Sequence, residues 1–168
     1  PRANTAQLDE NQIPPLEFGK AQILRKGQNV VFFAVGTMVE KAEKVADLLE
    51  KHGVFASVVN ARFVKPMDED LIVELSREAK LVVSLEENTI QGGFGSAMLE
   101  ILSKNKICNP TLQIGAPDRF IPQGSLEEQL NEAELNVENI YGRVLENLPE
   151  VVKKIRKKRI MEQKTHAS

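Results

Sequence analysis

The chain has 168 residues, of which 42% are hydrophobic and 27% charged, and its formal net charge is −2. This is enough chain and apolar content for one globular domain with its own core, which excludes a disordered polymer. No apolar run approaches the ~20 residues a membrane-spanning helix needs, and the near-neutral charge gives no global reason to expect a nucleic-acid partner.

The single cysteine, Cys108, excludes an internal disulfide and a multi-cysteine metal cluster. Its expected place is a small buried position near a turn. Two histidines, His52 and His166, leave little for self-contained acid–base catalysis. His52 falls in the last turn of an expected helix, where it meets the helix dipole, and His166 falls in the tail. The chain starts at Pro1 without an initiator Met and reads as a piece of something longer. No signal peptide is seen, so the cytoplasm is the expected compartment.

Residues 1–15 are polar and carry a Pro14-Pro15 pair, which is linker chemistry. Ala21–Leu24 reads as a short strand, joined by a turn at Gly27-Gln28 to a second strand over Asn29–Val35. Val30, Val31, Phe32, Phe33 and Val35 are apolar without alternation, so both faces of that strand should be covered. Gly36-Thr37 opens a helix, with Thr37 and Glu40 at capping-box spacing. Val39, Ala42, Val45, Ala46, Leu48 and Leu49 then follow a 3.6-residue period, and Gly53 sits where a C′ glycine belongs. Val54–Val59 is the next strand. Asp68 is a good N-cap for a helix that carries Leu71, Ile72 and Leu75 on one face.

Leu81–Leu85 reads as a buried strand that ends in Glu86, Glu87 and Asn88. The glycine-rich turn Gly92-Gly93-Phe94-Gly95-Ser96 follows and opens onto a helical pattern from Ala97 through about Lys104. Thr111–Ile114 is the last strand. Ser125 and Glu128 form a second capping box, for a short helix ending near Asn131. A longer amphipathic helix runs from Val137 to about Ile155, kinked or broken at Pro149.

This alternation predicts an α/β fold in three layers: a mainly parallel sheet of about five strands with helices on both faces. One antiparallel edge strand, Ala21–Leu24, is expected because only a short turn joins it to the next strand. The expected division is a linker over 1–15, a domain over 16–148 and a basic helix or tail over 149–168.

Strand, glycine turn and helix in succession place backbone N–H groups at the carboxyl edge of a parallel sheet, where chemistry gathers in such folds. Gly92, Gly93, Gly95 and Ser96 are therefore a candidate anion site. Their pattern is neither G-x-G-x-x-G nor a P-loop, and a structural turn that lets the helix pack closely on the sheet is the competing reading. Glu86 and Glu87 are adjacent in extended chain and point to opposite faces, so they do not converge on one substrate atom. One is expected to bond amides of the glycine turn and the other to meet solvent or a neighbouring domain. Arg62, Lys65, Asp118 and Arg119 lie on loops after expected strands. They form either an interdomain surface or ordinary solvated charges, and composition does not decide between these. Lys153–Arg159 holds six positive charges in seven residues without interleaved aromatics. It reads as a solvated helix end rather than a nucleic-acid or lipid site.

Several stretches together resemble the C-terminal domain of the 1-deoxy-D-xylulose-5-phosphate synthases: Ala-Arg-Phe-Val-Lys-Pro-Met-Asp at 61–68, Glu-Glu-Asn at 86–88 with Gly-Gly-Phe-Gly-Ser at 92–96, and Pro-Asp-Arg-Phe-Ile-Pro-Gln-Gly at 117–124. Phe18-Gly19-Lys20 and Gly36-Thr37 fit as well. The glycine turn is shared with transketolases and 2-oxoacid dehydrogenase β subunits, whereas the 62–66 and 117–124 runs are more specific to the synthase. The resemblance covers roughly residues 1 to 148.

For the parent enzyme the resemblance implies a homodimeric transketolase-type transferase dependent on thiamine diphosphate and Mg²⁺. Such an enzyme condenses pyruvate with glyceraldehyde 3-phosphate, releases CO₂ and supplies isoprenoid precursors. For this chain it implies a third domain that packs on the preceding domains of the same chain. Taken alone, the domain is expected to have no catalytic residue, to bind no metal or cofactor and to be inactive, with no nucleic-acid or membrane partner. One functional residue is implied: Arg2 matches a family arginine that contacts the substrate phosphate. A guanidinium fork suits phosphate oxygens better than a point charge does. Two other readings stand beside this one, the C-terminal domain of a 2-oxoacid dehydrogenase β subunit and a stand-alone anion-binding regulatory module.

Overall fold

The computed structural model describes residues 15–153. Strands β1 (Gln22–Arg25), β2 (Val30–Ala34), β3 (Ala56–Asn60), β4 (Leu81–Thr89) and β5 (Thr111–Ala116) form one sheet in the order β1-β3-β2-β4-β5. All neighbours pair in parallel except β1, which runs antiparallel to β3. The expected antiparallel edge strand is present, but its partner is β3 and not the strand that follows it in sequence. The 26–29 connection therefore crosses the start of β3 before β2 begins. Gly27 makes the crossing feasible: a Cβ there would lie 2.5 Å from the Ala56 backbone. The Ser57 hydroxyl meanwhile accepts from the Gly27 amide and donates to its carbonyl, both at 2.9 Å.

Helices α1 (Met38–Glu50), α2 (Glu69–Glu78), α3 (Phe94–Lys104), α4 (Leu126–Glu132) and α5 (Val137–Glu146) connect or follow the strands. Two cores result, one on each face of the sheet. Val30, Phe32, Ala34, Val58, Val83 and Leu85 pack with α1 and α5, while Val31, Phe33, Val59 and Val82 pack with α2 and α3. Alternate residues of β2 thus enter different cores, which is why its apolar run is continuous. Complete burial of Phe32 and Phe33 stabilises the fold by roughly 1.5–3 kcal/mol each.

Local expectations fare unevenly. Ser125 and Glu128 do form a capping box, and Gly53 does take a positive φ of 73° after α1. Asp68 caps α2 by accepting from the Leu71 amide. The Thr37–Glu40 box does not form, because Thr37 already has helical backbone angles and its hydroxyl donates to Glu87. Glu40 pairs with Lys44 one turn on, at 2.6 Å. β4 continues past Leu85 to Thr89, and α3 begins at Phe94 rather than Ala97. The last amphipathic stretch is broken as well: α5 stops at Glu146, and helix resumes at Pro149, a first-turn position where its missing N–H costs nothing. Cys108 is exposed rather than buried, because Ile107 beside it takes the core-facing place. His52 stacks on Tyr141 of α5 with ring centroids 6.3 Å apart. Arg2, His166 and the basic run beyond Lys153 lie outside the described residues.

Candidate functional site: the carboxyl edge of the sheet

The four parallel strands end on one side, and the ends of these strands and the loops after them carry the candidate anion-site and interdomain residues within the described residues. Because β1 is antiparallel, Phe18–Ala21 joins the same edge from the other direction, opposite Asn60 at the end of β3. Arg62 and Lys65 follow β3, Glu86 and Glu87 end β4 beside the glycine turn, and Asp118 and Arg119 follow β5. Three strand spacings separate β3 from β5, roughly 14 Å. The basic pair after β3 and the Asp118-Arg119 pair therefore sit at separate ends of the edge, and the two glutamates lie between them.

At the centre, the two adjacent acids diverge. Glu86 is only 4% exposed; its carboxylate accepts from the Phe94 amide at 2.8 Å and from the Gly95 amide at 2.9 Å. These are first-turn donors of α3 that no helical carbonyl can satisfy. Buried charge is costly unless paired or hydrogen-bonded, and here two amides and the positive end of the helix dipole answer it. The glycines make room for this carboxylate. A Cβ on Gly93 would lie 2.3 Å from Glu86 Oε2, one on Gly115 would lie 3.0 Å from Glu86 Cγ, and one on Gly95 would lie 2.5 Å from the Ser84 hydroxyl. Gly92, at φ +71°, turns the chain. Its amide donates to the Ser96 hydroxyl at 3.1 Å, and that hydroxyl donates to the Ile90 carbonyl at 2.9 Å.

Glu87 points the other way. It is exposed, accepts from the Thr37 hydroxyl and faces Lys41. Burial lowers the Lys41 pKa and nearby Glu87 offsets part of that effect; the ammonium donates to the Leu135 carbonyl at 2.8 Å.

The outer loops are tied down by their own domain. Arg62 takes a positive φ of 57° and donates to Gln22 at 2.5 Å. Lys65 is exposed and precedes a cis Pro66. Asp118 is exposed, whereas Arg119 spans Glu132, donating to its carboxylate at 2.7 Å and its carbonyl at 2.8 Å. One participant escaped the sequence reading. Besides capping α2, the buried Asp68 accepts from the Ala21 amide at 3.1 Å and from Lys20 at 3.4 Å, which clamps the leading segment to the 61–68 loop. Helix-cap spacing identifies Asp68 as a cap, but nothing local signals a bond across 47 residues.

The family described as "Transketolase, C-terminal domain" matches residues 19–140. The chain belongs to the transketolase C-terminal domain family. Among curated relatives, it is 40% identical over 151 residues to the 1-deoxy-D-xylulose-5-phosphate synthase of Caldanaerobacter subterraneus subsp. tengcongensis, covering 90% of this chain and 24% of that one. It is 45% identical over 138 residues to the synthase of Acaryochloris marina, covering 82% and 22%. The chain thus spans about a quarter of the length of these relatives. Among solved structures, a split-gene transketolase described as an inactive β4 tetramer matches with a TM-score of 0.76 and 32% identity, over 88% of this chain and 47% of that one. A transketolase from Pichia stipitis, at 18% identity and a TM-score of 0.58 over 78% of this chain and 18% of that one, shares the fold. A 2-oxoacid dehydrogenase β subunit is not favoured, since the curated relatives carry the synthase name.

Among the described residues of this transketolase C-terminal domain, no group of three or more His, Cys, Asp or Glu is arranged to hold a metal ion. The Phe94 and Gly95 amides at the start of α3 are donated to Glu86.

Proposed function

We propose that this chain is the C-terminal domain of a 1-deoxy-D-xylulose-5-phosphate synthase and that its part in that enzyme is assembly rather than chemistry. The whole enzyme would condense pyruvate with glyceraldehyde 3-phosphate, releasing CO₂, for isoprenoid precursor synthesis in the cytoplasm. Thiamine diphosphate and Mg²⁺ would be held by the preceding domains of a homodimer. Identity of 40–45% to relatives bearing that name supports the reading.

The observation that carries the assembly role is the Glu86 carboxylate on the Phe94 and Gly95 amides. The turn that in a catalytic α/β domain receives an anionic ligand is here satisfied by the chain's own acid. Gly92, Gly93, Gly95 and Ser96 are accordingly assigned a structural role. Arg62, Lys65, Glu87, Asp118 and Arg119 are assigned to the margin that faces the preceding domains, and Glu86 holds that margin in shape from within. Arg2 would contact the substrate phosphate only in the complete enzyme. Residues 1–15 would link to the middle domain, 16–148 form this one and 149–168 a basic extension. Neither nucleic acid nor membrane is a partner in this reading.

The test is product analysis with pyruvate and glyceraldehyde 3-phosphate. The full-length protein, supplied with thiamine diphosphate and Mg²⁺, is expected to release CO₂ and form 1-deoxy-D-xylulose 5-phosphate, while residues 1–168 alone form none. Ketol transfer between sugar phosphates by the full-length protein, without CO₂ release, would refute the synthase assignment.

A further inference from the structure

We propose that the corner built by Phe18, Phe63 and Val64 is the seat on which the upstream part of the same polypeptide docks. The proposal rests on reading this chain as the C-terminal domain of a longer enzyme and adds the surface and its chemistry. Phe18 and Phe63 meet edge to face with ring centroids 5.5 Å apart, yet Phe18 remains 75% exposed and Val64 47% exposed. Aromatic rings contribute most to an interface when a partner buries them, and here the Phe18–Phe63 pair stands at one end of the carboxyl edge with the exposed Val64 next in the chain.

The corner is held in shape before anything docks. Asp68 fixes both the Ala21 amide and the Lys20 ammonium, and Arg62 is bonded to Gln22 at the start of β1. Gly19 takes a φ of +73°, and a Cβ there would lie 3.1 Å from Pro66 Cγ, so the Phe18 segment lies directly against the 62–66 loop. A preorganised apolar surface loses little side-chain freedom on binding.

Chain direction selects the occupant. The described chain begins at Pro15, three residues before Phe18 and on this same edge. The relatives are about four times as long as the matched segment, which fills 24% and 22% of their lengths. Sequence upstream of Pro15 is thus tethered beside the patch, at an effective concentration on the order of millimolar for a short linker. The helix that resumes at Pro149 lies at the opposite edge, lining a cavity of about 300 Å³ with Asn29, Gly53, Val54 and Lys80, so downstream sequence starts far from the corner. With Lys65 exposed at the rim, the complementary upstream surface is expected to be an apolar pocket bordered by a carboxylate.

Cysteine footprinting of the full-length protein tests this. Phe18→Cys and Val64→Cys are made separately and labelled with iodoacetamide, and each site's rate is read by peptide mass spectrometry in native buffer and in urea. The expected result is labelling at least tenfold slower in native buffer at both sites, independent of protein concentration. Because each variant leaves the other apolar group in place, a folding failure in one leaves the second decisive. Native rates close to the urea rates would overturn the proposal, as would protection that disappears on dilution, which would assign the patch to a second copy. Labelling needs no substrate, so failure of the pyruvate reaction refutes the synthase reading without altering this outcome.

Discussion

Two corners of the same sheet edge solve opposite problems. The turn between β4 and α3 buries a charge and answers it from within: Glu86 holds two amides, and glycines close around its side chain. The corner between the leading segment and the β3–α2 loop does the reverse, tying Asp68 and Arg62 internally while Phe18 and Val64 stay exposed. A glycine-rich turn at a strand end looks functional in sequence, and an Arg-Phe-Val-Lys-Pro loop looks ordinary. Geometry inverts that ranking, because the Phe94 and Gly95 amides are already taken by Glu86 while the apolar corner is still exposed.

The sharpest way to break the comparison is at Glu86. Glu86→Ala leaves two buried first-turn amides unpaired and is expected to cost roughly 3–5 kcal/mol in urea unfolding, whereas Glu87→Ala next to it costs under about 1 kcal/mol. Equal losses would mean the two acids are not divided between inside and outside. Gly95→Ala tests the same corner by crowding. The added Cβ would meet the Ser84 hydroxyl at 2.5 Å and Gln113 Nε2 at 2.8 Å, and a loss of about 1–3 kcal/mol is expected. Asp68→Ala removes a helix cap and the tie to Ala21, for about 1–2 kcal/mol, and should release the leading segment to exchange before the rest of the sheet. Phe18→Ser, on the open corner, should change the stability of the domain itself by less than about 0.5 kcal/mol.

The smallest effect concerns acid. Backbone and side-chain hydrogen bonds from Ser125 hold the Glu128 carboxyl below its ordinary 4.5. A carboxylate lowered in the folded state contributes stability that is present above its unfolded pKa and lost as pH falls through the folded one. Protection factors of the α4 amides, taken relative to intrinsic exchange at each pH, should therefore fall as pH drops below about 4.5, and Glu128→Gln should flatten that dependence while leaving α2 unaffected.

Much of the fold is legible because it is written locally. The unbroken apolar run of β2, the 3.6-residue period of α1 and the caps at Asp68 and Ser125 each declare an element within a few residues. The opposed directions of Glu86 and Glu87 follow from strand geometry alone. Pairing order is different: the short turn after β1 points to β2, and only the close fit of Gly27 against Ala56 explains why β3 lies between them. Thr37 has the spacing of a cap, but a long-range acceptor, Glu87, takes its hydroxyl. The continuation of β4 through two acids depends on amides that arrive from α3, and the Phe18–Phe63 pair joins residues 45 apart. Such contacts leave no periodic trace.

Hydrogen–deuterium exchange of the full-length protein, set beside residues 1–168 alone, tests the contrast most directly. The account predicts that amides of 92–96 exchange slowly in both and do not respond to added inorganic phosphate, while 16–20 and 62–66 gain further protection in the full-length protein. Phosphate protection at 92–96, or identical exchange at 16–20 and 62–66 in both proteins, would contradict it.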